Sequence, residues 1–353
     1  MYLQKTCRFS VLTDTKPKDD DDDDSPMSIN ADADATLLPK MELSRLLNSN
    51  NDDDAKMIRQ ELLDALKTHG FLILTLPRTS LPARIVSEMQ DTLITDFFPD
   101  NNSHSNNQQQ QPPFQGTGDV YISEKGVPMW KEGYEFCADD GVREAFRVAA
   151  GSPDGVPYPT PNSRLKWLRG LALCRHVCDK ALQLSLLDNN DNQQQQKLRK
   201  RPTSGSSSWK KNASSSQPVP DRSGDYSVLY AMHYFNNNDG KTTPYKDGNV
   251  QINVKQHVDP SLFVLEPFLA DEPGLQVFSQ GKWITCDGPA SPIHSVLQEH
   301  EMGMVLFVGK GFCANVPEVQ QPTLHRVITA GGGRRTMIYE QKYEEFFPPP
   351  SFD

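Results

Sequence analysis

The sequence predicts a mainly β protein with flanking helices, its strands forming an antiparallel double sheet or barrel. Three observations lead there. From Tyr226 to Tyr343, short β-prone runs such as SVLYAMHYF, LFVLEPFL, LQVFS, GMVLFVG, HRVITA and RTMIYEQ recur between Gly, Asn, Asp and Pro. QVFSQGKWITC reads as a hairpin turning at Gly281. Upstream, apolar residues fall instead at helical spacing, in segments long enough to brace a sheet.

The first helix follows from Met57, Ile58, Leu62, Leu63 and Leu66, with the acids Asp52 to Asp54 near its start and Gly70 as its stop. FLILT, residues 71 to 75, is short, apolar and β-prone, so this helix feeds a buried strand. A second helix covers Pro82 to Phe98. A third, Arg164 to Leu187, has Trp167, Leu168, Leu171, Val177, Cys178, Leu182 and Leu186 on helical spacing. Cys174, His176 and Cys178 lie within it, but residues two apart on a helix point in different directions, so packing is expected there and not metal ligation.

Acidic residues outnumber basic ones by 46 to 36, for a net charge of -10 in 353 residues. A field of that sign repels polyanions, so nucleic acid is not an expected partner. No run approaches the roughly 18 apolar residues of a membrane span. The six cysteines form no regular framework and no secretory leader opens the sequence, which fits a cytoplasmic setting. Oligomeric state is not readable.

Residues 1 to 40, with six consecutive aspartates from Asp19 to Asp24, read as a disordered acidic tail rather than an interaction arm. Residues 41 to 225 form a helical and strand region with polar low-complexity inserts at 101 to 113 and 189 to 217. The second insert carries Lys197, Arg199, Lys200 and Arg201, read as part of a solvated linker in preference to a nuclear address or polyanion patch. Residues 226 to 345 are the catalytic candidate, and 346 to 353 a short tail.

HVDPSLFVLEP, residues 257 to 267, puts two good ligands at the head of an apolar run. A ferrous ion that must also admit substrates needs few protein ligands and open positions, and two imidazoles with one carboxylate meet both demands. Along an extended strand, residues i and i+2 share a face, so His257 and Asp259 can converge if that conformation persists. The third ligand must come from a distant strand. His325, heading HRVITA after Pro322, is the best candidate; His69, His104, His233, His294 and His300 sit in weaker contexts.

Taken in order, the His-x-Asp of HVDPSLFVLEPFLADEPGLQVFSQGKWITC, the Gly-Leu-Gln-Val segment, the Gly-x-Trp hairpin, MGMVLFVGKGF and the distal LHRVITAGGGRRTMIYEQKY form a specific ensemble. It resembles the C-terminal half of the isopenicillin N synthase-like, 2-oxoglutarate and ferrous-iron dependent dioxygenases. LLDALKTHGFLILTLP and DTLITDFF resemble that family's N-terminal helix, Gly-Phe strand and following helix more loosely. The resemblance implies a double-stranded β-helix, or jelly roll, and an enzyme that uses Fe(II), O2 and 2-oxoglutarate to oxidise a small organic substrate.

It also implies roles for single residues. His257, Asp259 and His325 would bind iron. Arg335, ten residues after His325, would pair with the distal carboxylate of 2-oxoglutarate, and Tyr234 would hydrogen-bond the co-substrate. The family's Arg-x-Ser reads Arg335-Thr336-Met337 here, and a thioether cannot donate. A shift to Arg334-Arg335-Thr336 restores a hydroxyl, so Arg334 is the alternative. Met232 and Phe235 stand where the family has Asn and Pro, making the pocket less polar. Two other readings stay open: an iron-dependent oxidase without 2-oxoglutarate, and a non-catalytic interaction protein on the same scaffold.

Overall fold

The computed structural model describes residues 38–49, 52–98, 121–122, 128–129, 131–137, 161–187, 225–234, 246–247, 250–328, 333–343 and 346. Nearly all of the acidic tail, both low-complexity inserts and most of the C-terminal tail lie outside these residues.

In chain order, β1 (Lys40–Glu42) leads into α1 (Leu43–Leu47) and α2 (Asp52–His69), then β2 (Phe71–Pro77). Helix α3 (Leu81–Thr92) starts at the Ser80 cap and runs on as one π-helical turn, Leu93–Phe97. Strands β3 (Tyr121–Ile122), β4 (Pro128–Met129) and β5 (Lys131–Cys137) precede the long α4 (Pro161–Ser185). The second half contributes β6 (Val228–Tyr234), β7 (Lys246–Asp247), β8 (Val250–His257), β9 (Phe263–Glu266), β10 (Leu275–Ser279) and β11 (Lys282–Thr285). It closes with α5 (Pro292–Ser295), β12 (Glu301–Val308), α6 (Lys310–Asn315), β13 (His325–Ile328) and β14 (Arg334–Glu340).

The strands form a seven-stranded sheet in the order β1-β2-β12-β9-β14-β6-β5 and a five-stranded sheet, β11-β10-β13-β8-β7. All their pairings are antiparallel except β1 with β2. The expected hairpin is β10–β11, closed by Gln280-Gly281 with φ of 50° and 80°, the paired positive values that suit the twist of a two-residue turn. The larger sheet also draws β1, β2 and β5 from before residue 226, so it spans the expected boundary there. Phe346, expected in the terminal tail, is buried in the core.

Alternation along each central strand separates two cores. In β9, Phe263 and Leu265 pack toward the helices, whereas Val264 packs against Leu275, Val277 and Ile284 of the smaller sheet. β2 and β12 divide likewise: Leu72, Leu74, Met304 and Leu306 on the helix side, Phe71, Ile73, Val305 and Phe307 between the sheets. Because both faces are covered, these strands read as continuous apolar runs and not as polar-apolar alternation. A third cluster, Met232, Tyr234, Val254 and Val327, fills the opposite end of the inter-sheet space.

The helical layer is anchored by α4. Trp167 packs on Phe97 at 4.7 Å between ring centroids. Arg175 pairs with Asp225, and Asp179 accepts from Gln341 Nε2 at 2.9 Å and from the Tyr343 hydroxyl. Cys174 and Cys178 are buried free thiols in this core, as their packing role requires, and His176 faces solvent. Among the described residues, no helix is long and apolar enough to cross a membrane.

Candidate metal centre

Strand β8 ends on His257 and β13 begins on His325, and the two are register partners across the smaller sheet. Their ring centroids lie 4.2 Å apart. Asp259 is not on the strand: β8 stops two residues earlier, and the aspartate belongs to the loop leading to β9. The expected strand thus ends before Asp259, which reaches the imidazoles from the loop.

Asp259 Oδ1 lies 3.6 Å from His257 Nε2, and Oδ2 lies 3.3 Å from His325 Nε2. One donor atom from each of the three residues falls within 4.8 Å of the others, close enough for a single ion to gather them at ligand distances of about 2.1 Å with little movement. The imidazoles are prepared for this. Nδ1 of His257 meets the Lys255 carbonyl at 2.8 Å, and Nδ1 of His325 meets the Thr323 carbonyl at 3.1 Å. With each Nδ1–H donating, each Nε2 presents its lone pair to the centre. Burial, helped by His257, pushes the His325 imidazole down to about 3, so it is neutral at pH 7. Two imidazoles and a carboxylate are a donor set that suits a divalent transition metal.

Two supports were not singled out from the sequence. The Asp259 loop is held from below by the turn after β12: Gly309 N–H donates to Leu262 O at 3.0 Å, and Lys310 N–H to Asp259 O at 2.8 Å. Gly311 N–H is shared between the Pro260 and Ser261 carbonyls. A Cβ on Gly309 would stand 2.2 Å from Ser261 O, so only glycine admits this approach. The second support is Thr323. Its hydroxyl donates to Gly70 O and accepts from Val308 N–H at 3.2 Å, while its carbonyl orients His325. Phe307 covers the His325 ring at 4.9 Å. The GKG after GMVLFV was the visible signal of the first support; a threonine two residues before a histidine gives almost none of the second.

The remaining histidines stand apart from the cluster. His69 ends α2, His233 packs on Phe98 at 5.4 Å on the helix side, and His294 and His300 are exposed. His104 lies outside the described residues.

Of the two arginines, the register separates the roles clearly. Tyr234 pairs with Arg334, and Arg335 with His233. Cross-strand partners share a face, so Arg334 lies with Tyr234 between the sheets while Arg335 faces the helical layer. Thr336 pairs with Met232 on the inter-sheet face, and Met337 sits in the helix-side core. The expected grouping of Arg335 with Tyr234 thus gives way to Arg334, Thr336 and Tyr234. A one-residue shift inverts every side chain of a strand, and the GGG before it left that register open in the sequence.

Arg334 is already engaged. Its Nε donates to Asp287 Oδ2 at 2.6 Å, and Nη2 to the two carboxylate oxygens of Glu266 at 2.9 and 2.8 Å. Burial works against its charge, but Asp287 and Glu266 hold its pKa above the ordinary value. Burial likewise raises the Tyr234 hydroxyl above its usual range, Arg334 opposing, so it stays a neutral donor 5.4 Å (ring centroid) from the guanidinium carbon.

No protein-family model and no curated protein matches the chain. Solved structures do. A full-length Neurospora crassa protein in complex with alpha-KG superimposes with a TM-score of 0.52 at 15% identity, over 89% of this chain and 90% of that one. Dioxygenase for auxin oxidation 1 from Arabidopsis thaliana, solved with 2-oxoglutarate, gives 0.51 at 12% identity over 87% and 93%. The chain shares the fold of these 2-oxoglutarate-bound proteins. JOX2, solved with 2OG, Fe and JA, gives 0.50 at 15% identity over 87% of this chain and 75% of that one. Within this fold, the His257, Asp259 and His325 cluster lies where the end of β8 meets the start of β13.

Proposed function

We propose that the chain is a non-haem iron oxygenase on a jelly-roll core, coupling oxidative decarboxylation of 2-oxoglutarate to hydroxylation or a related oxidation of a small organic substrate. The observation that carries this reading is the convergence of one donor atom each from His257, Asp259 and His325 within 4.8 Å. These three residues would hold Fe(II), their Nε2 and carboxylate atoms aimed by the Lys255 and Thr323 carbonyls and by the Gly309 turn. Bound Fe(II), 2-oxoglutarate and O2 would supply the oxidising power. The chain's own residues would bind and orient, with Phe307 packed against the inner imidazole.

The distal carboxylate of the co-substrate is assigned to Arg334 with the hydroxyls of Tyr234 and Thr336, in place of the expected Arg335. Their shared face, set by the β14–β6 register, supports this. Related folds were solved with small organic molecules, thymine in one and JA in another, which supports a small-molecule substrate. A reducing, cytoplasmic setting suits both ferrous iron and the free thiols of Cys174, Cys178, Cys286 and Cys313.

One observation favours a second reading. Arg334 already carries two carboxylates, Glu266 and Asp287, and an oxidase that takes its electrons elsewhere needs no further carboxylate there. Succinate release separates the two. Protein loaded anaerobically with Fe(II), then given 2-oxoglutarate and O2, should form succinate, and Asp259→Ala should abolish it. Oxygen uptake by the loaded protein that ignores 2-oxoglutarate would select the oxidase.

A further inference from the structure

We infer that Glu266 controls carboxylate binding at Arg334, the incoming carboxylate being accepted together with one proton that settles on Glu266. This rests on the assignment of Arg334 to the distal carboxylate of 2-oxoglutarate.

Glu266 is the last residue of β9, on the same inward face as Val264, and it is 1% exposed. Among the described residues its hydrogen-bond partner is Arg334, which meets both of its oxygens. Asp287 is far better held: besides Arg334 Nε, it accepts from Ala270 N–H at 3.0 Å and Leu275 N–H at 2.9 Å. Of the two acids, Glu266 is therefore the one that can change state without breaking the fold.

The arginine itself cannot retreat. A Cβ on Gly274 would lie 2.0 Å from Arg334 Cδ, so its stem runs tight against that backbone. Nε and Nη2 are committed, while among the described residues the buried Nη1 finds no acceptor. A new carboxylate thus has one nitrogen free to receive it and a bidentate rival beside it.

Charge decides the outcome. With Glu266 ionised, which burial confines to pH above about 8, Arg334, Glu266 and Asp287 already sum to one negative charge in a buried space. A further carboxylate would raise this to two, and uncompensated buried charge is strongly unfavourable. A proton on Glu266 removes the excess and converts a repelling oxygen into a donor. The titratable groups that act on Glu266, or feel it, are Arg334 from β14, Asp287 and Cys286 after β11, and Tyr234 from β6. Its β12 neighbour, Val305, is uncharged. Burial raises the Glu266 pKa and Asp287 adds to it, while Arg334 opposes.

The test is calorimetric titration of anaerobic, Fe(II)-loaded full-length protein with 2-oxoglutarate, in buffers of different ionisation enthalpy, from about pH 6 to about pH 9. Above the Glu266 pKa, wild type should take up close to one proton per 2-oxoglutarate, its Kd weakening about tenfold per pH unit. Pyruvate, a keto acid without the distal carboxylate, should take up none. E266Q should bind 2-oxoglutarate without proton uptake and more tightly than wild type at the alkaline end. Wild-type binding without proton uptake at any pH would overturn the role of Glu266 and leave the co-substrate assignment standing. Failure of both proteins to bind 2-oxoglutarate would overturn that assignment and this inference together.

Discussion

His257 and His325 stand directly opposite each other at the end of the β8–β13 pairing, with ring centroids 4.2 Å apart, and Asp259 reaches both from a loop. Two of the three candidate ligands are thus placed by sheet register, and the third by a turn that other segments hold. The consequences can be tested separately.

The Asp259 loop depends on the close approach of Gly309. In Gly309→Ala the added Cβ would meet Ser261 O at 2.2 Å, so the loop must shift. Overpacking of this kind costs about 1–3 kcal/mol. Urea unfolding should show that loss, and iron affinity should fall by more than tenfold, because the carboxylate moves while both imidazoles stay.

Thr323 joins the start of β2, the end of β12 and His325. Thr323→Val keeps the shape but leaves the Gly70 carbonyl and the Val308 N–H without their hydroxyl partner. The expected cost is about 1–3 kcal/mol of stability. The His325 Nδ1 bond should survive, since it uses the Thr323 carbonyl, so iron binding should weaken much less than in Gly309→Ala.

Burial holds His325 neutral in the metal-free fold, its pKa pushed down to about 3, whereas in the unfolded chain it titrates near the ordinary 6.5. Between these values the unfolded state binds the extra proton. Metal-free stability should therefore fall as pH drops from about 6.5 toward about 3, by up to about 1.4 kcal/mol per pH unit from this group. Urea unfolding at neutral and acidic pH checks it, and His325→Gln should flatten the slope in that window.

Tyr343 ties the end of the chain to α4 through Asp179. In Tyr343→Phe the aspartate keeps Gln341 but loses the phenol, and about 1–2 kcal/mol of stability should go with it. Iron affinity should be unchanged, because this network lies on the helix side of the larger sheet.

Much of this architecture was legible in the residues. The helix ending at Gly70, the strand at Phe71, the long helix around Trp167 and the hairpin at Gly281 all follow from local spacing and turn chemistry, and the structure holds them. Among the described residues, His325 is also the histidine that the structure groups with His257 and Asp259, and the sequence reason for choosing it was its place at the head of a β-prone run. What local sequence left open was register and path. That Asp259 leaves its strand depends on backbone donors from Gly309, Lys310 and Gly311, some fifty residues away, and local sequence cannot show such partners. The face of Arg334 against Arg335 turns on one residue of register after three glycines. Glu266 reads as one more residue in a strand until the fold sets it against Arg334.

His257, Asp259 and His325 are proposed to form one iron site. Its most direct test is anaerobic equilibrium titration of the full-length protein with Fe(II), for wild type and Asp259→Ala, followed by 2-oxoglutarate with the visible charge-transfer band as readout. The expected result is one ferrous ion per wild-type chain, a band on adding the keto acid, and loss of both in Asp259→Ala. Fe(II) binding of equal strength and stoichiometry in Asp259→Ala would contradict it.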